Sequence, residues 1–178
     1  MSIVSREGLE NQIHNAKALY VWGLASMVLL SHNDAPAVLR ESHVDFGGRK
    51  QVFVGMADRL TDPKEKEEIL SELHKVFLRF YIRESFELIK DYCRKTNQSD
   101  LLEIQPWYHF TRLIRNCMAH NFKWVFKKFD KSLLPITLRT LTIATDLEGK
   151  NLKMEFFNQS HAWNLHTDMS LFVKNVLK

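Results

Sequence analysis

The residues with the most chemistry to offer lie in the run Arg115-Asn116-Cys117-Met118-Ala119-His120-Asn121. Arginine is a permanent cation whose planar fork matches the oxygens of a phosphate, and histidine is the side chain whose ordinary pKa lets it accept or give a proton near neutrality. Together they suit acid–base chemistry on a phosphodiester with no metal ion required. On an α-helix Asn116 and His120, four apart, share one face, while Arg115 projects roughly 140° away from His120. The arginine stem covers part of that gap. A second copy of the chain across a two-fold axis would cover the rest, bringing two arginines and two histidines into one cleft. Taken alone, the same residues also admit a structural reading, with Arg115 on an acidic partner, Asn116 in solvent and His120 satisfied by a carbonyl in the core.

The flanking sequence is cationic. Between Pro106 and Lys131, Arg112, Arg115, Lys123, Lys127, Lys128 and Lys131 face only Asp130. Of these, Arg112, Lys123, Lys127 and Lys128 are the candidates for contact with a nucleic-acid backbone. The interleaved Trp107, Tyr108, Phe110, Phe122, Trp124, Phe126 and Phe129 would serve either base stacking or a helical core. A formal net charge of +4 and a pI near 9.1 permit such a partner without requiring it. Glu84 interrupts an otherwise apolar stripe and needs a cation. It either makes a structural pair with Arg83, Arg112 or another basic residue, or orients Arg115 or His120 from behind.

These groups must be positioned by helices. Leu9, Ile13, Ala16, Leu19, Tyr20, Gly23, Leu24 and Met27 recur at helical spacing, which predicts a first core helix over about residues 5 to 31, with Gly23 allowing a close approach. Residues 31 to 61 hold Asn33-Asp34-Ala35-Pro36 and Gly47-Gly48 and read as turns around one or two short helices. His32, His43 and Asp45 in that stretch match no metal-site spacing and read as loop residues, so no metal is expected. Asp62-Pro63 is a strong helix start, and the stripe from Ile69 to Tyr92 carries that helix to about Arg94 or Lys95. Gln105-Pro106 opens the motif helix, expected to reach about Lys128 and to be apolar on several sides. Alternation after Pro135, around Asp146-Leu147-Glu148-Gly149, predicts a β-hairpin over about 138–157. Asn158 or Ser160 caps a last helix.

The expected architecture is mostly α, an up-and-down bundle of four to five main helices with a small inserted hairpin, in one domain over 1–178. At 45% hydrophobic and 26% charged residues the chain has the composition of a globular domain. Its two cysteines, Cys93 and Cys117, argue against a disulfide framework and for a reducing, cytoplasmic setting, with Cys117 a buried structural thiol. The apolar run from Ala18 to Leu30 is shorter than the roughly 20 residues a bilayer span needs, and its flanks do not suit a secretion signal. No membrane association is therefore expected.

The string Arg-Asn-x-x-Ala-His, late in a helical chain of this size, resembles the HEPN superfamily of helical bundles, many of which are metal-independent ribonucleases. The match covers Arg115, Asn116 and His120. A subset of that family continues His-x-Tyr, and this chain reads His120-Asn121-Phe122 instead, which does not carry that subset's tyrosine modification. The resemblance implies an endoribonuclease with no cofactor, acting as a homodimer with a composite site, in a toxin–antitoxin or antiphage role and held in check by a separate inhibitory protein. It equally allows a noncatalytic module that dimerises or binds a protein or nucleotide through the same surface. A nucleotide-transferring enzyme fits less well, because the chain has no glycine-rich phosphate loop or paired acidic metal site.

Overall fold

A computed structural model describes residues 5–178 of the chain, so residues 1–4 of the expected single-domain span lie outside it. The expectation of a mostly α fold holds. In chain order the elements are α1 (Arg6–Ser31), α2 (Ala35–Glu41), β1 (His43–Phe46), β2 (Arg49–Val52), α3 (Val54–Arg59), α4 (Pro63–Lys95), α5 (Ser99–Glu103), α6 (Tyr108–Ala119), α7 (Lys128–Leu133), β3 (Ile136–Leu138), β4 (Leu141–Ile143) and α8 (Gln159–Asn175). The chain divides into two compact units, one of residues 5–17 with 78–178 and one of residues 18–77. Both α1 and α4 supply residues to each unit.

Local signals account for most helix ends. Ser5 Oγ accepts the Gly8 amide at 3.1 Å to start α1, and Asp62 Oδ1 accepts the Lys64 and Glu65 amides at 2.8 and 3.0 Å to start α4. Asn158 Oδ1 accepts the His161 amide at 3.1 Å, as expected for the cap of α8. In the larger unit, Leu9 and Ile13 from α1, Tyr81, Ile82, Phe86 and Ile89 from α4, Phe110, Leu113 and Ile114 from α6 and Leu165, Met169 and Phe172 from α8 are buried. In the smaller unit Gly23 passes so close to Phe77 that a β-carbon there would sit 2.6 Å from the ring's Cγ, which accounts for glycine at that position.

Two expectations about β structure need correcting. Residues 31–61 contain α2 and α3 as expected, but also an antiparallel hairpin in which His43 pairs with Val52 and Phe46 with Arg49. Its turn is Gly47-Gly48, both at positive φ, and its strands are exposed throughout; His43-Val44-Asp45-Phe46 alternates over only four residues and Arg49-Lys50-Gln51-Val52 does not alternate. The second hairpin lies at 136–143 rather than 138–157, with Ile136 opposite Ile143 and Leu138 opposite Leu141. The segment from Asp146 to Gly149 does turn, but it joins a distant part of the chain: the Trp124 amide donates to Lys150 O at 3.0 Å and the Gly149 amide to Trp124 O at 2.9 Å.

Candidate active site

The motif helix is shorter than its periodicity predicts. Instead of reaching Lys128, α6 ends at Ala119, and His120 caps it with its amide donating to Asn116 O at 3.0 Å and Cys117 O at 3.1 Å. Asn121 and Phe122 then take left-handed backbone angles, φ 55° and 60°, and reverse the chain. Neither is glycine. The conformation is held from outside the helix, because the Leu152 amide donates to Phe122 O at 2.6 Å and Lys123 bridges to Asn151.

Within α6 the residues partition cleanly. Tyr108, Phe110, Thr111, Leu113, Ile114, Cys117 and Met118 are buried, and the stripe at 109, 112, 115, 116 and 119 faces outward, as i, i+3, i+4 spacing demands. Arg115 and Asn116 therefore sit side by side on the outward face. The Arg115 guanidinium donates from Nη1 to Asn116 Oδ1 at 2.9 Å, and its Nη2 lies 2.5 Å from Glu87 Oε1 on α4. Asn116 thus touches both partners of the motif, the arginine through its side chain and His120 through its carbonyl. The His120 side chain is exposed at the helix end.

Glu84, read from the sequence either as a structural pair for a basic residue or as a group orienting Arg115 or His120, is half-buried on α4. The carboxylate that meets Arg115 is Glu87, three positions further along the same helix. Arg112 is committed as well. Its Nη2 lies 2.7 Å from Oδ1 of Asp130, a residue 1% exposed, and its guanidinium stands 5.1 Å from the centre of the Phe129 ring. The other carboxylate oxygen of Asp130 accepts the Lys127 amide at 2.8 Å and caps α7. The ion pair between Arg112 and Asp130 ties α6 to α7 and draws Arg112 away from the free cationic edge expected for it. Lys123, Lys127 and Lys128 are exposed, in the turn after α6 and at the start of α7.

The aromatic residues around the motif belong to the core. Trp107, Tyr108, Phe110, Phe122, Trp124 and Phe126 are all buried, and Phe129 alone among them is exposed, at 58%. These seven aromatics therefore offer no row of stacking platforms, and the segment's cationic surface comes from its exposed lysines together with the half-buried Arg115. Burial pushes the Cys117 thiol up to about 12, against a smaller opposing pull from the Leu152 backbone, so Cys117 is no thiolate nucleophile beside His120. Cys93 is likewise raised by burial, to about 11.

Two residues join the site that their spacing did not single out. One is Glu87, whose place behind Arg115 depends on the packing of α4 against α6. The other is His109, half-buried on the outward stripe of α6, with its ring 5.0 Å from Tyr108 and 6.3 Å from Phe129. Burial lowers its pKa, and the neighbouring Arg112 charge lowers it further. His109 precedes Arg112 by three and Asn116 by seven, a spacing that places it on the same face.

Among the described residues no helix is long and apolar enough to cross a membrane. Comparison with known protein families, with curated proteins and with solved structures finds no match for the chain.

Proposed function

We propose that the chain is a metal-independent endoribonuclease of the HEPN type. In this reading His120 takes the proton from an RNA 2′-hydroxyl, the 2′-oxygen attacks the adjacent phosphorus, and the bond to the 5′-oxygen breaks to leave a 2′,3′-cyclic phosphate. The departing 5′-oxygen takes its proton from the His120 of a second subunit, so the site is a composite one in a homodimer. Arg115 binds the non-bridging oxygens as their charge grows, and Asn116 holds the arginine in position. Lys123, Lys127 and Lys128 supply further backbone contacts. A protein cutting cellular RNA in this way fits a cytoplasmic toxin–antitoxin or antiphage role, with a separate antitoxin as inhibitor.

The observation that carries this reading is the linkage through Asn116, which joins the Arg115 guanidinium to the end of the helix where the exposed His120 begins. A guanidinium has five N–H groups. Nη1 donates one proton to Asn116 and the Glu87 carboxylate pairs with the charge at Nη2, and a phosphate would take N–H groups that remain on the terminal nitrogens. The ion pair with Glu87 favours a second reading as well, in which Arg115 is a structural residue of a noncatalytic module that dimerises or binds a protein or nucleotide.

The deciding experiment is cleavage of total RNA in excess chelator by the wild type, Arg115→Ala and His120→Ala, with the 3′ ends of the products identified. Cyclic phosphates from the wild type, lost in both variants while their circular dichroism and dimer mass stay unchanged, are the expected result. Equal cleavage by all three proteins would overturn the assignment of the site, and absence of cleavage by the wild type would leave the noncatalytic module as the reading.

A further inference from the structure

A polar-lined cleft on the larger unit lies far along the sequence from the motif, with a volume of about 440 Å³ between the first half of α1 and α8. Its rim carries Lys17 and His14 from α1 and Lys174 from α8, while Ile13, Leu171 and Val173 supply apolar wall. Clefts of roughly 300 to 1,000 Å³ with an apolar lining and a few convergent polar groups are the usual form of small-molecule sites. Lys17 is held in place, with its ammonium 4.1 Å from the centre of the Trp163 ring. The one acidic residue of the lining, Glu10, faces Arg6 at 3.5 Å and is answered outside the cleft.

The wall also contains a polar group that the fold leaves without a partner. His166 is 5% exposed, and its Nδ1 is sealed from solvent with no hydrogen bond. Its ring packs 4.9 Å from that of Tyr81 on α4, and the charged or titratable groups facing it from α1 are Lys17 and His14. A buried imidazole left unsatisfied costs stability, so its retention calls for an explanation.

We propose that this cleft binds a small organic anion, a phosphate monoester or carboxylate with an apolar body, whose acid group is met by Lys17 beside His14 and His166 and whose body rests on Ile13, Leu171 and Val173, with Lys174 adding positive charge from the far end of the cleft. Two lysines on opposite walls give a positive potential that two apolar walls concentrate. Burial first, then the charges of Lys17 and His14, drive the His166 pKa down to about 4, so at neutral pH the ring is an uncharged hydrogen-bonding group in a cationic setting. A bound anion would reverse the charge contribution and raise that pKa. This site shares no residue with the α6 motif, so its failure would leave the ribonuclease reading untouched.

The test follows the histidine side-chain ¹H–¹⁵N resonances of the full chain during titration with phenyl phosphate, benzoate, inorganic phosphate and benzyl alcohol. Saturable shifts of His14 and His166 with at least one of the two aromatic anions are expected, together with weakening of about tenfold or more in the Lys17→Gln/Lys174→Gln double variant, as loss of charge-assisted hydrogen bonds predicts. Lys174 is exposed and Lys17 half-buried against Trp163, and the variant's melting curve checks its fold. Tighter binding of phenyl phosphate than of benzoate assigns the phosphate class, and the reverse order assigns the carboxylate class. No saturable shift with either anion, undiminished binding by the double variant, or equal binding of the neutral alcohol would overturn the proposal.

Discussion

Removing the Arg112 side chain should destabilise the protein by several kcal/mol, and the packing around Asp130 sets the size. Asp130 is 1% exposed and Arg112 is its charged partner at 2.7 Å, so Arg112→Ala leaves a buried carboxylate without a counter-ion. Breaking a buried pair in this way costs roughly 3 to 5 kcal/mol. Loss of the guanidinium from the Phe129 ring adds about 0.5 to 1 kcal/mol. The capping bond from the Lys127 amide survives, because Asp130 retains the oxygen that accepts it. Urea unfolding should therefore show a loss of about 4 kcal/mol for Arg112→Ala, a large share of the roughly 5 to 15 kcal/mol that holds a domain of this size together. Asp130→Asn keeps an acceptor for the cap and removes the charge, so Arg112→Met combined with Asp130→Asn should recover most of the loss. A cost below about 1 kcal/mol for Arg112→Ala, or the same cost with and without Asp130→Asn, would refute the argument and return Arg112 to the pool of free cations.

Two further perturbations follow from buried groups. His166 titrates near 4 in the folded chain and near 6.5 when unfolded, so above pH 6.5 both states are neutral and the residue adds no pH dependence. Between those values only the unfolded chain takes up the proton, and stability falls as pH falls. From pH 7 to pH 5 the loss attributable to His166 is about 2 kcal/mol, measurable as a lower urea midpoint that His166→Gln should largely abolish; an unchanged slope in that variant would contradict the assignment. Gly23→Ala gains about 1 kcal/mol of helix propensity but drives a β-carbon to 2.6 Å from Phe77 Cγ, an overpacking cost of about 1 to 3 kcal/mol. A net fall in melting temperature, relieved by Phe77→Leu, is expected, and a rise would show that the helices separate freely there.

The features legible in the sequence are those fixed by neighbouring residues. Asp62-Pro63 and Asn158 mark their helix starts because a cap depends on the next few amides, and the long stripes of α1 and α4 declare their helices by repetition. The end of α6 was not legible. Its apolar run continues through Phe122, Trp124 and Phe126, but these residues are buried after a chain reversal rather than along a helix, and the bonds that hold the reversal come from Lys150 and Leu152. The hairpin at 43–52 escaped for the opposite reason, since its pattern is too short: His43-Val44-Asp45-Phe46 alternates over only four residues and its partner strand Arg49-Lys50-Gln51-Val52 not at all. At the candidate site, spacing placed Asn116 and His120 on one face of a helix expected to run on to Lys128, whereas the helix ends at Ala119 and leaves His120 at its end. Their charged surroundings were beyond it, because Glu87 and Asp130 reach the arginines only through helix packing.

The clasp after α6 has a consequence for how this site tolerates genetic drift. Gly149 stands at φ 78° and donates its amide to Trp124 O, and the bonds at Lys150 and Leu152 follow directly from it. Any side chain at position 149 strains that backbone and loosens the clasp on residues 122 to 124, which begin immediately beyond His120. The histidine's address in space is thus written partly by a glycine far downstream, and substitutions that disable the motif need not fall within it.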